Sequence, residues 1–132
     1  MRAGGGSAAG TALFHVLRSL PETYPEQTSG SIKVIYVVAT LTIKPETRAD
    51  FIAAATACIK ETRKEPGNIA YDLHESVTDH SKMVFVEQWE NAEALVPHRG
   101  MEHMKTFGRV AVKCMSAPPK IEVITPEKVD VR

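Results

Sequence analysis

The sequence predicts an α+β fold, an antiparallel sheet with its helices on one face, on three observations. Four segments rich in β-branched and aromatic residues follow a period of two. Two segments between them follow a helical period, and Pro or Gly closes each helical stretch. The resulting order, strand, helix, strand, strand, helix, strand, is the ferredoxin-like βαββαβ plan.

The first strand is expected over 32–43. Ile35, Val37, Ala39, Leu41 and Ile43 share one face and Val34, Tyr36 and Val38 the other, so both faces call for cover. Pro45 stands at the start of a helix in which Phe51, Ile52, Ala55, Cys58 and Ile59 recur at helical spacing, and Pro66-Gly67 ends it. A second strand over 68–76 places Ile69, Tyr71 and Leu73 on one face and Ala70, Asp72 and His74 on the other, with a turn at 78–81. The third strand, over 82–89, sets Met83, Phe85, Glu87 and Trp89 against Val84, Val86 and Gln88. Asn91 caps a short helix through Val96, and Pro97 and Gly100 interrupt the backbone. A second amphipathic piece follows from about Met101 to Cys114, with Met104, Phe107, Ala111 and Cys114 along one stripe. Pro118-Pro119 closes it, and 120–124 form the last strand. Helices on one face leave Val38, Val84 and Val86 uncovered on the other, so two sheets are expected to pack face to face in a homodimer.

At 132 residues the chain fits one domain. Residues 32–126 form it, 127–132 make a C-terminal tail, and the small-residue and Pro-broken segment 1–31 reads as a flexible arm, an upstream extension or expression remnant and not a signal or transit peptide. Sixteen basic residues balance sixteen acidic ones. The chain therefore has no net field to draw nucleic acid or an anionic membrane, and a small neutral substrate or a protein partner fits better. No apolar run approaches the roughly 18 residues of a membrane span. Cys58 and Cys114 fall at apolar helical positions and read as reduced core residues of a cytoplasmic protein.

The groups able to do chemistry cluster late in the chain. Glu87 shares a strand face with Met83, Phe85 and Trp89; if buried there it is a candidate base, and if the strand end frays it is a solvated or paired carboxylate. Trp89 is open to two readings, a core aromatic or a flat wall for an aromatic ring. Tyr71 either orients a substrate oxygen or packs with a bonded hydroxyl. His98 and His103 lie about 140° apart on a regular helix and no Cys or Asp is spaced to join them, so no metal site is expected. No glycine fingerprint follows a strand, and neither nicotinamide, flavin nor nucleotide is signalled.

Glu65-Pro66-Gly67, Tyr71, Glu87-x-Trp89 and His98 to His103, the last two within EQWENAEALVPHRGMEHMKTF at 87–107, stand in an order and spacing that resembles the antibiotic biosynthesis monooxygenase family, in particular its quinol-oxygenase-like members. The resemblance covers about Val34 to Ile124. It implies a dimeric α+β barrel that oxidises quinol-like or polyphenolic substrates with dioxygen as co-substrate and no bound cofactor. It also implies a helical His near the cavity, so His98, then His103, are the expected proton-transfer groups with Glu87 as the other candidate base; Trp89, Tyr71 and Phe85 are the expected substrate contacts. Three rivals remain on the same residues. Haem degradation is disfavoured because 32–43 holds no Asn. An isomerase of a small phosphorylated sugar-derived signal would use cations such as Arg99 or Lys105, and a non-catalytic dimer would bind a small aromatic ligand without turnover.

Overall fold

A computed structural model describes residues 33–132, so the arm expected over 1–31 lies outside the described residues, as does Ile32. The elements are β1 (Ile35–Thr42), α1 (Arg48–Thr62), β2 (Asn68–Glu75), β3 (Lys82–Trp89), α2 (Ala92–His98), α3 (Glu102–Cys114) and β4 (Lys120–Ile124). The sheet order is β2-β3-β1-β4 with every neighbouring pair antiparallel. Each strand–helix–strand crossover skips one strand, and crossovers of one hand put their helices on the same sheet face, which yields the ferredoxin-like arrangement.

Register decides which side chains share the covered face. Tyr71 pairs with Glu87, Glu87 with Val37 and Val37 with Val123, so these four form one row across the sheet. Leu73, Phe85, Ala39 and Ile121 form the next. Over these rows α1 presents Phe51, Ala55, Cys58 and Thr62, and α3 presents Phe107, Ala111 and Cys114. Phe107 joins the layers, with ring centroids 5.6 Å from Phe51 and 5.5 Å from Phe85. Both cysteines are buried and free. Among the described residues no helix is long and apolar enough to cross a membrane.

Three expectations need correction. Pro45 opens a three-residue 3-10 turn (Pro45–Thr47) and the α-helix starts only at Arg48. Ile69 does not join Tyr71 on the covered face: the register shifts between Asn68 and Ala70, and Ile69 is left 48% exposed. Pro97 does not end its helix but lies inside α2, which continues to His98. Proline's fixed φ is itself helical, and the bond its N–H would have made to the carbonyl of Glu93 is absent. The outer face of β1, which no described helix covers, is half-buried, with Tyr36, Val38 and Thr40 all intermediate.

The cap on α2 follows the expectation, since the Asn91 side chain accepts from the backbone N–H of Ala94 at 2.9 Å. Opposite this cap sits Gly67, with φ +84° and its carbonyl accepting from Glu90 N–H at 2.8 Å. A Cβ there would stand 2.5 Å from the Cβ of Ala94. Gly67→Ala is therefore expected to cost about 2 kcal/mol or more, from left-handed strain and the forced retreat of α2. Urea denaturation measures it, and an unchanged midpoint would show that α2 is free to move.

Candidate active site

Between the covered sheet face and the helices lies a small, partly open cavity, about 70 Å³ of which the centre of a water-sized molecule can occupy. Its floor is Val37, Ala39, Ile121 and Val123; Phe85, Tyr71 and Phe107 supply the aromatic walls. Of the predicted residues that carry polar groups, Tyr71, Glu87, His98 and Arg99 border it. Trp89 does not. It is fully buried behind the wall, its ring 4.8 Å from that of His98.

His98 is brought inward by the very end of α2 and is 2% exposed. Its Nδ1 lies 2.7 Å from Glu65 Oε2, while its Nε2 is buried and has no hydrogen-bond partner in the protein. His103, in the first turn of α3, reaches the same oxygen of Glu65 with Nε2 at 2.9 Å. The break between α2 and α3 removes the 140° that a continuous helix would place between the two imidazoles. Burial pushes the Glu65 carboxyl up, but hydrogen bonding and charge from His98 and then His103 outweigh it, leaving Glu65 below the usual carboxylate range.

Glu65 is the site residue that the sequence does not single out, because Pro66-Gly67 beside it reads as the end of a helix. A signal was present. A carboxylate just past a helix C-terminus faces the negative end of the helix dipole, an unfavourable place unless it has partners elsewhere. By donor type Glu65, His98 and His103 are the set among the described residues a divalent ion would find, with ligand atoms within 4.8 Å of one another. The separations of 2.7 and 2.9 Å are hydrogen-bond lengths, shorter than the ~3.3 Å between ligands in a tetrahedral zinc shell. The triad as folded is a hydrogen-bonded one.

Glu87 is buried, 6% exposed, and accepts the indole N–H of Trp89 at 2.9 Å. Burial raises its pKa; His98 and the Trp89 bond pull it down without cancelling the rise. Of the two readings of Trp89, its geometry gives a core aromatic whose N–H holds a cavity carboxylate. Tyr71 lies edge-on to His98 at 5.5 Å, and its hydroxyl is 3.9 Å from the sulfur of Met104. Burial first, then the charge of Glu87, hold that phenol well above its usual range, so it stays protonated. Cys58 is likewise pushed up to about 11 by burial and is a thiol.

This fold and this set of groups define a class. The sequence profile of the family described as "Antibiotic biosynthesis monooxygenase" matches residues 34–110, and the chain belongs to that family. "Putative monooxygenase YcnE" of Bacillus subtilis (strain 168) is 32% identical over 85 residues, covering 64% of this chain and 90% of YcnE. "Putative monooxygenase Rv0793" of Mycobacterium tuberculosis is 30% identical over 92 residues, 70% of this chain and 90% of that protein. The solved structure of Rv0793 superposes with a TM-score of 0.69 at 28% identity, covering 74% of this chain and 99% of the other. A conserved protein from Methanosarcina mazei Go1 gives the same TM-score at 26% identity, covering 70% and 92%.

Because the folded pKa of Glu87 lies above its ordinary 4.5, the folded state holds that proton more tightly than the unfolded chain. The associated stability is complete below the unfolded value and is lost as pH rises through the folded one. Glu87→Gln, which keeps an acceptor for Trp89 but cannot ionise, is expected to gain on wild type in unfolding free energy as pH rises from 4.5. Denaturant titrations across that window test it, and a gap constant with pH would mean Glu87 titrates alike in both states.

Proposed function

We propose that this protein is a homodimeric, cofactor-independent monooxygenase of quinol-like or polyphenolic aromatic substrates, with dioxygen as co-substrate. The observation that carries the reading is His98: it borders an apolar, aromatic-walled cavity, and its Nε2 is buried with no protein partner. An imidazole nitrogen with an unspent lone pair beside an apolar cavity is suited to taking a phenolic proton. His98 Nε2 accepts that proton, and the phenolate passes one electron to dioxygen. The radical pair then joins at a ring carbon, and the adduct loses water to give a quinone. One oxygen atom stays on the ring, the other leaves with the phenolic and the ring hydrogen, and the substrate supplies every electron. Tyr71 and Phe85 offer ring faces and edges to the substrate, and Glu87 is the second group able to exchange a proton there.

A second reading has one observation behind it. Arg99 borders the same cavity, a cation suited to a phosphorylated sugar-derived substrate and an isomerase. Lys105, the other cation that reading calls on, is exposed and not part of the lining. Two free buried thiols suit a reducing, cytoplasmic compartment.

The outer sheet face supports the homodimer. Val38 lies opposite Val86 and Tyr36 opposite Ile124, and Val86 and Ile124 are 40% and 41% exposed in the single chain. Val86→Glu places a charge at the centre of that face and is expected to give monomers by light scattering; a dimer unchanged by it would put the interface elsewhere. For the activity, oxygen uptake with a panel of benzohydroquinones and naphthohydroquinones is measured against spontaneous autoxidation. Acceleration by wild type, lost in folded His98→Ala, is the expected result. Uptake no faster than autoxidation across the panel would reject the quinol reading and shift weight to the isomerase or to ligand binding without turnover.

A further inference from the structure

A neutral imidazole is an ambiguous base, since either ring nitrogen can carry the hydrogen and only one tautomer puts the lone pair where it is needed. At His98 the two nitrogens have different surroundings. Nδ1 faces Glu65 Oε2 at 2.7 Å, and Nε2 faces no protein acceptor or donor. An ionised carboxylate only accepts, so the hydrogen between Nδ1 and Oε2 belongs to the imidazole. His103 Nε2, 2.9 Å from the same oxygen, is bound by the same rule and also donates.

We propose that Glu65 is the positioning residue of this site: steadied by His103, its carboxylate fixes His98 as the Nδ1–H tautomer and so leaves the Nε2 lone pair unspent for a substrate proton. The proposal deepens the reading of His98 as proton acceptor and rests on it. The rings packed on His98 offer no competing choice. The Trp89 and Tyr71 rings pack against it at 4.8 and 5.5 Å, and the Trp89 N–H is spent on Glu87. Two bonds converge on one oxygen while Glu65 Oε1 is buried without a partner, so the direction of the carboxylate is set by the pair of imidazoles together. When His98 accepts a proton at Nε2, both its nitrogens carry hydrogen and Glu65 stabilises the imidazolium through the bond already made, with no second proton moved.

Nitrogen-15 NMR of imidazole-labelled protein, at a pH where His98 is neutral, reads the tautomer without any substrate. Wild type is expected to show His98 with Nδ1 protonated and Nε2 bare, and Glu65→Ala to show exchange between tautomers with Nε2–H gained. In the oxygen-uptake assay, Glu65→Gln is expected to lower kcat by on the order of 10²–10⁴-fold with little change in KM, and Glu65→Asp to recover part of the loss. A wild-type His98 carrying its hydrogen on Nε2 overturns the proposal, and so does a tautomer indifferent to Glu65→Ala; the wild-type spectrum decides even if the variants fold poorly. Spectra as expected with no quinol turned over would leave the positioning role standing and reject the quinol reading.

Discussion

Two carboxylates, Glu65 and Glu87, are buried in a largely apolar core, and the arrangement of the site follows from the need to give each a partner. An ionised group taken out of water is costly unless hydrogen bonds replace its hydration. Glu65 is met by two imidazole nitrogens from two different helices, and Glu87 by the indole of the residue two further along its own strand. These partners tie the α1–β2 connection to α2 and α3, and the end of β3 to the cavity. The opposite pKa shifts of the two acids reflect the difference: two donors that carry charge when protonated outweigh burial at Glu65, and one neutral donor does not at Glu87.

The sheet makes this possible by register alone. In β3 the side chains alternate strictly, so Glu87 and Trp89 land on the same face, close enough for the indole to reach the acid. The pairing of Tyr71 with Glu87 and of Phe85 with Leu73 then sets aromatic rings beside that acid. Gly67 lets α2 approach β2 closely enough for His98, at the far end of α2, to drop between Trp89 and Tyr71. A family named for monooxygenases thus presents here a cavity with aromatic walls, a constrained imidazole and a carboxyl of raised pKa.

Much of this was legible along the chain because it depends on local period. Alternation in 82–89 gave the covered face of β3 with Glu87 on it, helical spacing gave Phe51, Ala55 and Cys58 in the core, and Asn91 was readable as a cap. Ile69 was misplaced because a bulge adds one residue to one strand, a shift that depends on pairing with β3 and leaves no mark on the alternation of β2 itself. The end of α2 lies one residue past the proline because proline's fixed φ is compatible with a helical turn, so the residue type alone does not mark where the helix stops.

The sequence by itself determined the element order, the faces of β1 and β3 and the family, since each is carried by residue types at short, regular intervals. Only the tertiary structure decided that Glu65 belongs to the site, that His98 and His103 share one of its oxygens, and that Trp89 supports the cavity from behind. Those facts rest on contacts between residues 33 and 38 positions apart and on the break that turns two helices toward each other. A hydrogen bond is made in space at a fixed distance, and no period along the chain encodes which distant donor will arrive there.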